Sequence, residues 1–296
     1  MRDAAAAPLA RVVSVGRNSV WIAFEGSDQI HLASLRKHQE RLSLVPGDLV
    51  HAVPMDEDRL VIDRREPRSF ALERRTGGNR TKTMAANVDG IAIVASFAQP
   101  QFPPAMVDEL LAFAEIHGLK ARLLLTKADL ADPHEAEEIL EVYRRLGYVV
   151  LSINPRARIG LDDVEREFRG HQTLLIGQSG VGKSSLFRSL GGSATVGEVS
   201  ASGRGRQTTT SGRLHHFDDG FLIDSPGVGE FELHDMPWSE VAYGFIEFRP
   251  HFGKCRFTDC SHRAEPDCAI RAAVEAGEIA RSRFESYTSI TAREPV

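Results

Sequence analysis

Apolar positions along the chain follow two different periods. From residue 8 to about residue 66 they come in short β-rich runs, at 11–15, 19–24, 29–32, 49–54 and 60–63. Turn-forming residues separate the runs: Gly16-Arg17-Asn18, Glu25-Gly26-Ser27-Asp28, Pro46-Gly47-Asp48 and the stretch from Met55 to Asp58. Five such strands in about 60 residues predict a small closed barrel. An OB-fold leads, an SH3-like barrel is the rival, and periodicity does not separate them. From Val88 to about Leu233 the pattern changes. Apolar strands at 90–95, 121–125, 149–151, 173–176 and 221–223 alternate with helical segments at 104–117, 133–146, 161–168 and 183–190. That alternation predicts a parallel sheet covered by helices on both faces. A tail from about Pro237 ends in two predicted helices, 268–276 and 278–290. No repeat of 20–50 residues interrupts this order.

Composition narrows the class. The 296 residues suffice for about two domains of ~150 residues. Hydrophobic residues at 42% and charged residues at 26% exclude a disordered or fibrous chain. No run of 18 apolar residues is present, so no membrane span is predicted. The Ala-rich start, Met1 to Ala10, lacks an apolar core followed by a cleavage site and reads as a frayed terminus rather than a signal peptide. All three cysteines lie between positions 255 and 268, which argues against a disulfide scaffold and for a reducing cytoplasm. Net charge is −5, from 36 basic and 41 acidic residues, so nucleic-acid binding would need local patches. One such patch lies between Arg64 and Lys82, where Arg64, Arg65, Arg68, Arg74, Arg75, Arg80 and Lys82 face only Glu66 and Glu73. It reads equally as a solvated linker or as a phosphate-contacting surface.

Chemistry enters with Gly177-Gln178-Ser179-Gly180-Val181-Gly182-Lys183-Ser184, a full match to G-x-x-x-x-G-K-[ST] set between a predicted strand and a predicted helix. Glycines let successive N–H groups point at the β-phosphate. Lys183 places a charge on the β- and γ-phosphates, Ser184 offers its hydroxyl to Mg²⁺, and Ser185 continues the cradle. Asp224, in Asp224-Ser225-Pro226-Gly227, ends another predicted strand, where a carboxylate holds Mg²⁺ through water, and the Gly227 N–H is suited to the γ-phosphate. Between them runs Gly203-Arg204-Gly205-Arg206-Gln207-Thr208-Thr209-Thr210, in which Thr208 or Thr209 is expected to complete the Mg²⁺ shell. Thr126-Lys127-Ala128-Asp129 follows the strand at 121–125. Its aspartate can accept from guanine N1–H and N2–H₂, a donor pair adenine lacks, while the Lys127 stem covers the base. Thr126 stands where GTPases usually carry Asn and lacks the amide that braces base and phosphate loop. Ser152, after the strand at 149–151, is placed for the guanine carbonyl. The base-reading motif precedes the phosphate loop, the reverse of the usual order, so the chain reads as circularly permuted. In the tail, Cys255-x₄-Cys260-x-His262-x₅-Cys268 supplies three thiols and an imidazole, a closed tetrahedral set for one structural Zn²⁺.

Together these features resemble the RsgA (YjeQ/EngC) family of circularly permuted GTPases that depend on the small ribosomal subunit. The resemblance extends to Ala85-Ala86-Asn87-Val88-Asp89 and to Phe257-Thr258-Asp259-Cys260. It implies an RNA-binding OB-fold over 1–70, a permuted P-loop GTPase domain over 71–236, and a mostly helical zinc-binding domain over 237–296. It implies a cytoplasmic, monomeric GTPase of late small (30S) subunit maturation, stimulated by the subunit, with Mg²⁺ at the GTP and one structural zinc. RNA contact is then expected at the Arg64–Lys82 stretch and at Arg249, Lys254, Arg256 and Arg263. The family loop carries His where this chain has Gln207, and Gln207 is expected to position the attacking water beside Lys183, Thr208 and Thr209. The alternative is an RNA-binding assembly factor that uses GTP as a slow conformational sensor. An ATP-dependent enzyme is disfavoured by Asp129.

Overall fold

The computed structural model describes residues 8–16, 19–27, 29–35, 42–55, 59–76, 80–190, 213–217, 220–224 and 236–292. The chain divides into two compact units. One is built from Met1–Asp89, Pro155–Ile176 and Gly182–Gly229, the other from Gly90–Asn154, Gly177–Val181 and Glu230–Val296.

The first unit opens with β1 (Leu9–Val15), β2 (Val20–Phe24), β3 (Ile30–Leu35), β4 (Leu49–Pro54) and β5 (Leu60–Arg65). They close into a barrel in the order β1-β2-β3-β5-β4. β1 pairs antiparallel with both β2 and β4, and β3 runs parallel to β5. That arrangement is the OB type and decides against the SH3-like rival. Alternate positions point inward, so Ala10, Val12, Val20, Ile22, Ala33, Val50, Ala52 and Ile62 form the core. Full burial of each of the larger aliphatic side chains contributes about 1.5–3 kcal/mol.

The basic stretch after the barrel is not a linker. It forms a hairpin of β6 (Ala71–Thr76) and β7 (Arg80–Ala86). Arg68 is engaged rather than free: its guanidinium donates to both carboxylate oxygens of buried Asp48, at 2.7 and 2.9 Å. Asn87 ties the end of the hairpin down, accepting from the Ser69 N–H at 2.8 Å and donating to the Gly47 carbonyl at 3.1 Å. Gly47 has φ +90°, and a Cβ there would lie 1.9 Å from the Ala86 oxygen, so only glycine fits.

The same unit contains β11 (Gln172–Ile176), β12 (Arg213–Phe217) and β13 (Gly220–Asp224). β11 runs parallel to β13, and β12 antiparallel to it. Helices α3 (Leu161–Phe168) and α4 (Lys183–Ser189) accompany them. Arg11, on the outside of the barrel, lies 4.2 Å over the Phe221 ring, and burial lowers its pKa to about 10.

In the second unit β8 (Gly90–Ser96), β9 (Lys120–Thr126) and β10 (Val149–Ile153) are parallel, with β9 in the middle. Helices α1 (Pro104–His117) and α2 (Pro133–Arg145) connect them. Asp132 caps α2, accepting from the N–H groups of His134 and Glu135. The tail of this unit holds α5 (Trp238–Gly244), a 3₁₀ turn (Ile246–His251), α6 (Ala269–Glu275) and α7 (Arg281–Thr291). α5 was not anticipated by the apolar pattern.

α7 is fastened to α1 through charge. Arg283 is fully buried, donating to Asp108 at 2.7 Å and to both Glu247 carboxylate oxygens at 2.7 and 3.2 Å. Burial disfavours the charged guanidinium, but the two carboxylates outweigh it and hold it more firmly protonated than usual. Tyr143 of α2 donates to the same Asp108 oxygen at 2.9 Å. Three segments therefore meet at one buried carboxylate.

Candidate nucleotide site and metal cluster

The phosphate loop leaves β11 at Gly177 and enters α4 at Lys183. Gly177 is packed so tightly that a Cβ would sit 2.3 Å from the Val94 carbonyl oxygen. Gly180 and Gly182 have φ +83° and +109°, which only glycine adopts without strain. The Gly182 carbonyl accepts the first helical bonds from Ser185 and Leu186, at 3.0 and 2.9 Å. Gln178, Ser179 and Gly180 are exposed along the loop, as is Ser184, while Val181 is buried. The loop thus has the positive-φ glycine turn that the sequence pattern requires. Lys183 is half-buried. Desolvation lowers its pKa, and the Asp224 carboxylate at the end of β13 opposes that shift.

The base-reading segment is joined to the loop directly. The Thr126 hydroxyl lies 2.6 Å from the Val181 carbonyl oxygen and 3.3 Å from that of Ala95. The absent Asn amide is therefore replaced by a hydroxyl that braces the phosphate loop itself. Lys127, at φ +58°, turns its ammonium onto the Gly180 carbonyl at 3.0 Å and onto the Gln99 carbonyl. Asp129 is exposed in the 3₁₀ turn Ala128–Leu130, and the Asn154 amide lies 3.4 Å from its carboxylate. Parallel pairing of β9 and β10 sets Ser152 opposite Leu125 and Ile153 opposite Thr126, so exposed Ser152 stands at the same strand end.

Asn154 and Gln99 were not read from the sequence. Asn154 has a weak signal, a polar residue just past a strand and two positions beyond Ser152. Gln99 contributes a main-chain oxygen, which no side-chain pattern reveals. Gln207, Thr208, Thr209 and Gly227 lie outside the described residues.

The tail brings its four expected ligands together. The Sγ atoms of Cys255, Cys260 and Cys268 and a ring nitrogen of His262 all lie within 4.8 Å of one another. His262 Nδ1 is 3.5 Å from Cys255 Sγ and 3.5 Å from Cys268 Sγ, and those two sulfurs are 3.9 Å apart. Four ligands at ~2.3 Å around a tetrahedral centre would be about 3.8 Å apart, so the donor set and spacing fit a metal. Burial first, and then the neighbouring thiols of Cys268 and Cys255, push the Cys260 thiol up to about 12, while burial lowers the His262 pKa against the opposing charge of Glu265. A cation among the four would favour thiolate and neutral imidazole together. Glu265 locks the enclosing loop, accepting from the Ser261 N–H and hydroxyl and from the N–H groups of Arg263 and Ala264. Burial opposes its charge, but these bonds prevail and hold its pKa at about 2. Phe252 stacks on the His262 ring, and Trp238 meets it edge-on.

A glycine-rich loop between strand and helix, an aspartate closing a neighbouring strand, and a Thr-Lys-x-Asp motif earlier in the chain define a P-loop nucleotide-binding protein of permuted order. Residues 65–234 match the model of the RsgA GTPase family. The chain is 44% identical to the small ribosomal subunit biogenesis GTPase RsgA of Pseudomonas putida, over 84% of this chain and 75% of that one. Identity to the protein of the same description from Chromohalobacter salexigens is 41%, over 90% and 79%. Among solved structures, YjeQ from Thermotoga maritima superposes with a TM-score of 0.73 at 30% identity, covering 95% of this chain and 96% of that one. YloQ, described as a circularly permuted GTPase, gives 0.72 at 25% identity over 100% and 99%. The chain belongs to the RsgA GTPase family. Among the described residues no helix is long and apolar enough to cross a membrane.

Proposed function

We propose that the protein hydrolyses GTP to GDP and phosphate in late maturation of the small ribosomal subunit, and that the subunit stimulates turnover. The observation that carries the nucleotide assignment is the joining of base reader to phosphate loop, Thr126 to Val181 and Lys127 to Gly180. A guanine on Asp129 would then lie on the segment that is bonded to the Gly177–Val181 part of the phosphate loop. The names of the relatives, each a small ribosomal subunit biogenesis GTPase, support the choice of partner.

Asp129 accepts from the guanine edge, the Lys127 stem covers the ring, and Ser152 and Thr126 complete that end. Gln178, Ser179, Gly180, Val181, Gly182 and Ser185 supply the rest of the phosphate cradle, and Lys183 neutralises charge on the β- and γ-phosphates. Ser184 and Asp224 would hold Mg²⁺ with Thr208 and Thr209. That ion supplies positive charge to the phosphate oxygens. Water attacks the γ-phosphate, and catalysis consists of positioning and charge stabilisation. Gln207 orients the water and Gly227 donates to the γ-phosphate. The metal in the Cys₃His cluster is one structural zinc. The division into 1–70, 71–236 and 237–296, contact with ribosomal RNA, a monomeric state and a cytoplasmic location belong to the same reading.

GTP turnover measured with and without purified small subunits, with ATP as competitor, tests it. The expectation is slow hydrolysis alone, acceleration by subunits, and no competition by ATP. Equal competition by ATP would remove the guanine assignment, and turnover indifferent to subunits would remove the partner.

A further inference from the structure

The tail carries a cavity of about 360 Å³ that includes the cluster residues Cys255, Cys260 and His262 in its lining, with the aromatic residues Trp238, Tyr243, Phe252 and Phe257 around it. Two of these rings face solvent: Tyr243 is 53% exposed and Phe257 39%. Exposed aromatics of that size serve neither the barrel nor the nucleotide loop. The other two rings form a fixed rear wall, because both pack on the ring of the metal ligand His262.

The exposed rings are also held by cations. The Arg249 guanidinium lies 4.4 Å over Tyr243 and is anchored by the Tyr243 carbonyl and by Glu115, each at 2.9 Å. Arg256 lies 5.5 Å from the Phe257 ring centre and pairs with Asp267 at 3.0 Å. From residue 249 to residue 263 the chain has Arg249, Lys254, Arg256 and Arg263 against Asp259 alone, within a protein of net charge −5. Flat, pre-ordered rings bordered by positive charge fit a π-face attached to a phosphate backbone. An apolar peptide side chain would use the rings but not the charge. A duplex would use the charge but not the rings, since its bases are stacked on one another.

We propose that the exposed rings bordering this cavity, not the part lined by the metal cluster, take one unpaired base of single-stranded RNA, with Tyr243 and Phe257 as the stacking surfaces and Arg249, Lys254 and Arg256 beside the flanking phosphates. The inference rests on the small subunit as partner and names the form of RNA that this unit would grip.

The test uses the full-length, metal-loaded protein and a heptanucleotide RNA carrying 2-aminopurine at its centre, whose fluorescence is quenched by stacking. Binding should quench the probe, and a duplex of the same length should bind more weakly. Tyr243→Ala and Phe257→Ala should each abolish most of the quenching and weaken binding roughly tenfold, the loss of one stacked base. Tyr243→Phe should keep both. Basal GTP turnover and metal content should not change. Unaltered quenching in both alanine variants, or equal affinity for duplex and single strand, would overturn the proposal and leave only a charged surface. Subunit-stimulated turnover of the wild type, measured alongside, separates the two readings. Stimulation with a probe indifferent to Tyr243 and Phe257 removes the base site alone.

Discussion

The Thr126 hydroxyl lies 2.6 Å from the main-chain oxygen of Val181, a residue 55 positions later in the chain. Both are buried, so the bond is shielded from water. It joins the segment expected to read the base to the segment expected to hold the phosphates.

Removing that hydroxyl without changing side-chain volume is the direct check. Thr126→Val should leave a buried carbonyl short of its donor, at a cost of about 1–3 kcal/mol. GTP affinity in a fluorescent-nucleotide titration should fall roughly tenfold or more. Unchanged affinity would mean that the brace has no part in nucleotide binding.

Asp129→Asn should exchange the acceptor edge for an amide. GTP should bind more weakly and xanthosine triphosphate should be admitted. A competition assay that still ranks GTP first, by the wild-type margin, would remove Asp129 from the base site.

Lys183→Ala should abolish hydrolysis while the circular dichroism spectrum stays native, because the side chain is half-buried at the start of a helix and fills no core position. Near-normal turnover in the purified variant would rule out this loop as the site of chemistry.

Elemental analysis should find one zinc per chain, lost in Cys260→Ser. The Ser261–Ser286 region should then become susceptible to protease. A fully folded, metal-free preparation of the wild type would contradict the assignment.

Arg283→Met should be among the most destabilising single changes outside the barrel. It leaves Asp108 and Glu247 buried without their cation, which costs about 3–5 kcal/mol. Urea unfolding reports the loss directly. Replacing Asp108 and Glu247 by apolar residues in the same variant should restore much of it.

Much of this architecture was legible because strands rich in Val, Ile and Leu announce themselves. The barrel strands and β8, β9 and β11 fall where β-branched and leucine runs lie, and α1 and α3 begin and end where the pattern sets them. The hairpin β6–β7 was hidden because Ala71–Thr76 and Arg80–Ala86 are largely polar, so burial imposes no alternation. Helix α5 was hidden by length, with seven residues giving too few turns for a period to show. The Cys₃His cluster was legible because residue type and spacing carry that chemistry. The Thr126 brace was not, since the acceptor is a main-chain oxygen far away in sequence. Asn154 stayed hidden beside Asp129 because strand pairing, not spacing, brings them near.

Arg283 and Asp108 also set an order in time. They are 175 positions apart, so a chain emerging from its N-terminus completes α1 long before its counter-charge exists. Until α7 arrives, the Asp108 carboxyl must either stay wet or take up a proton. The α1 face therefore cannot close in its final form on a partly synthesised chain. A product that stops short of Arg283 lacks the cation that offsets the burial of Asp108, so α1 is less stable in it than in the finished protein. The ion pair thus ties the stability of an early helix to the arrival of a late one.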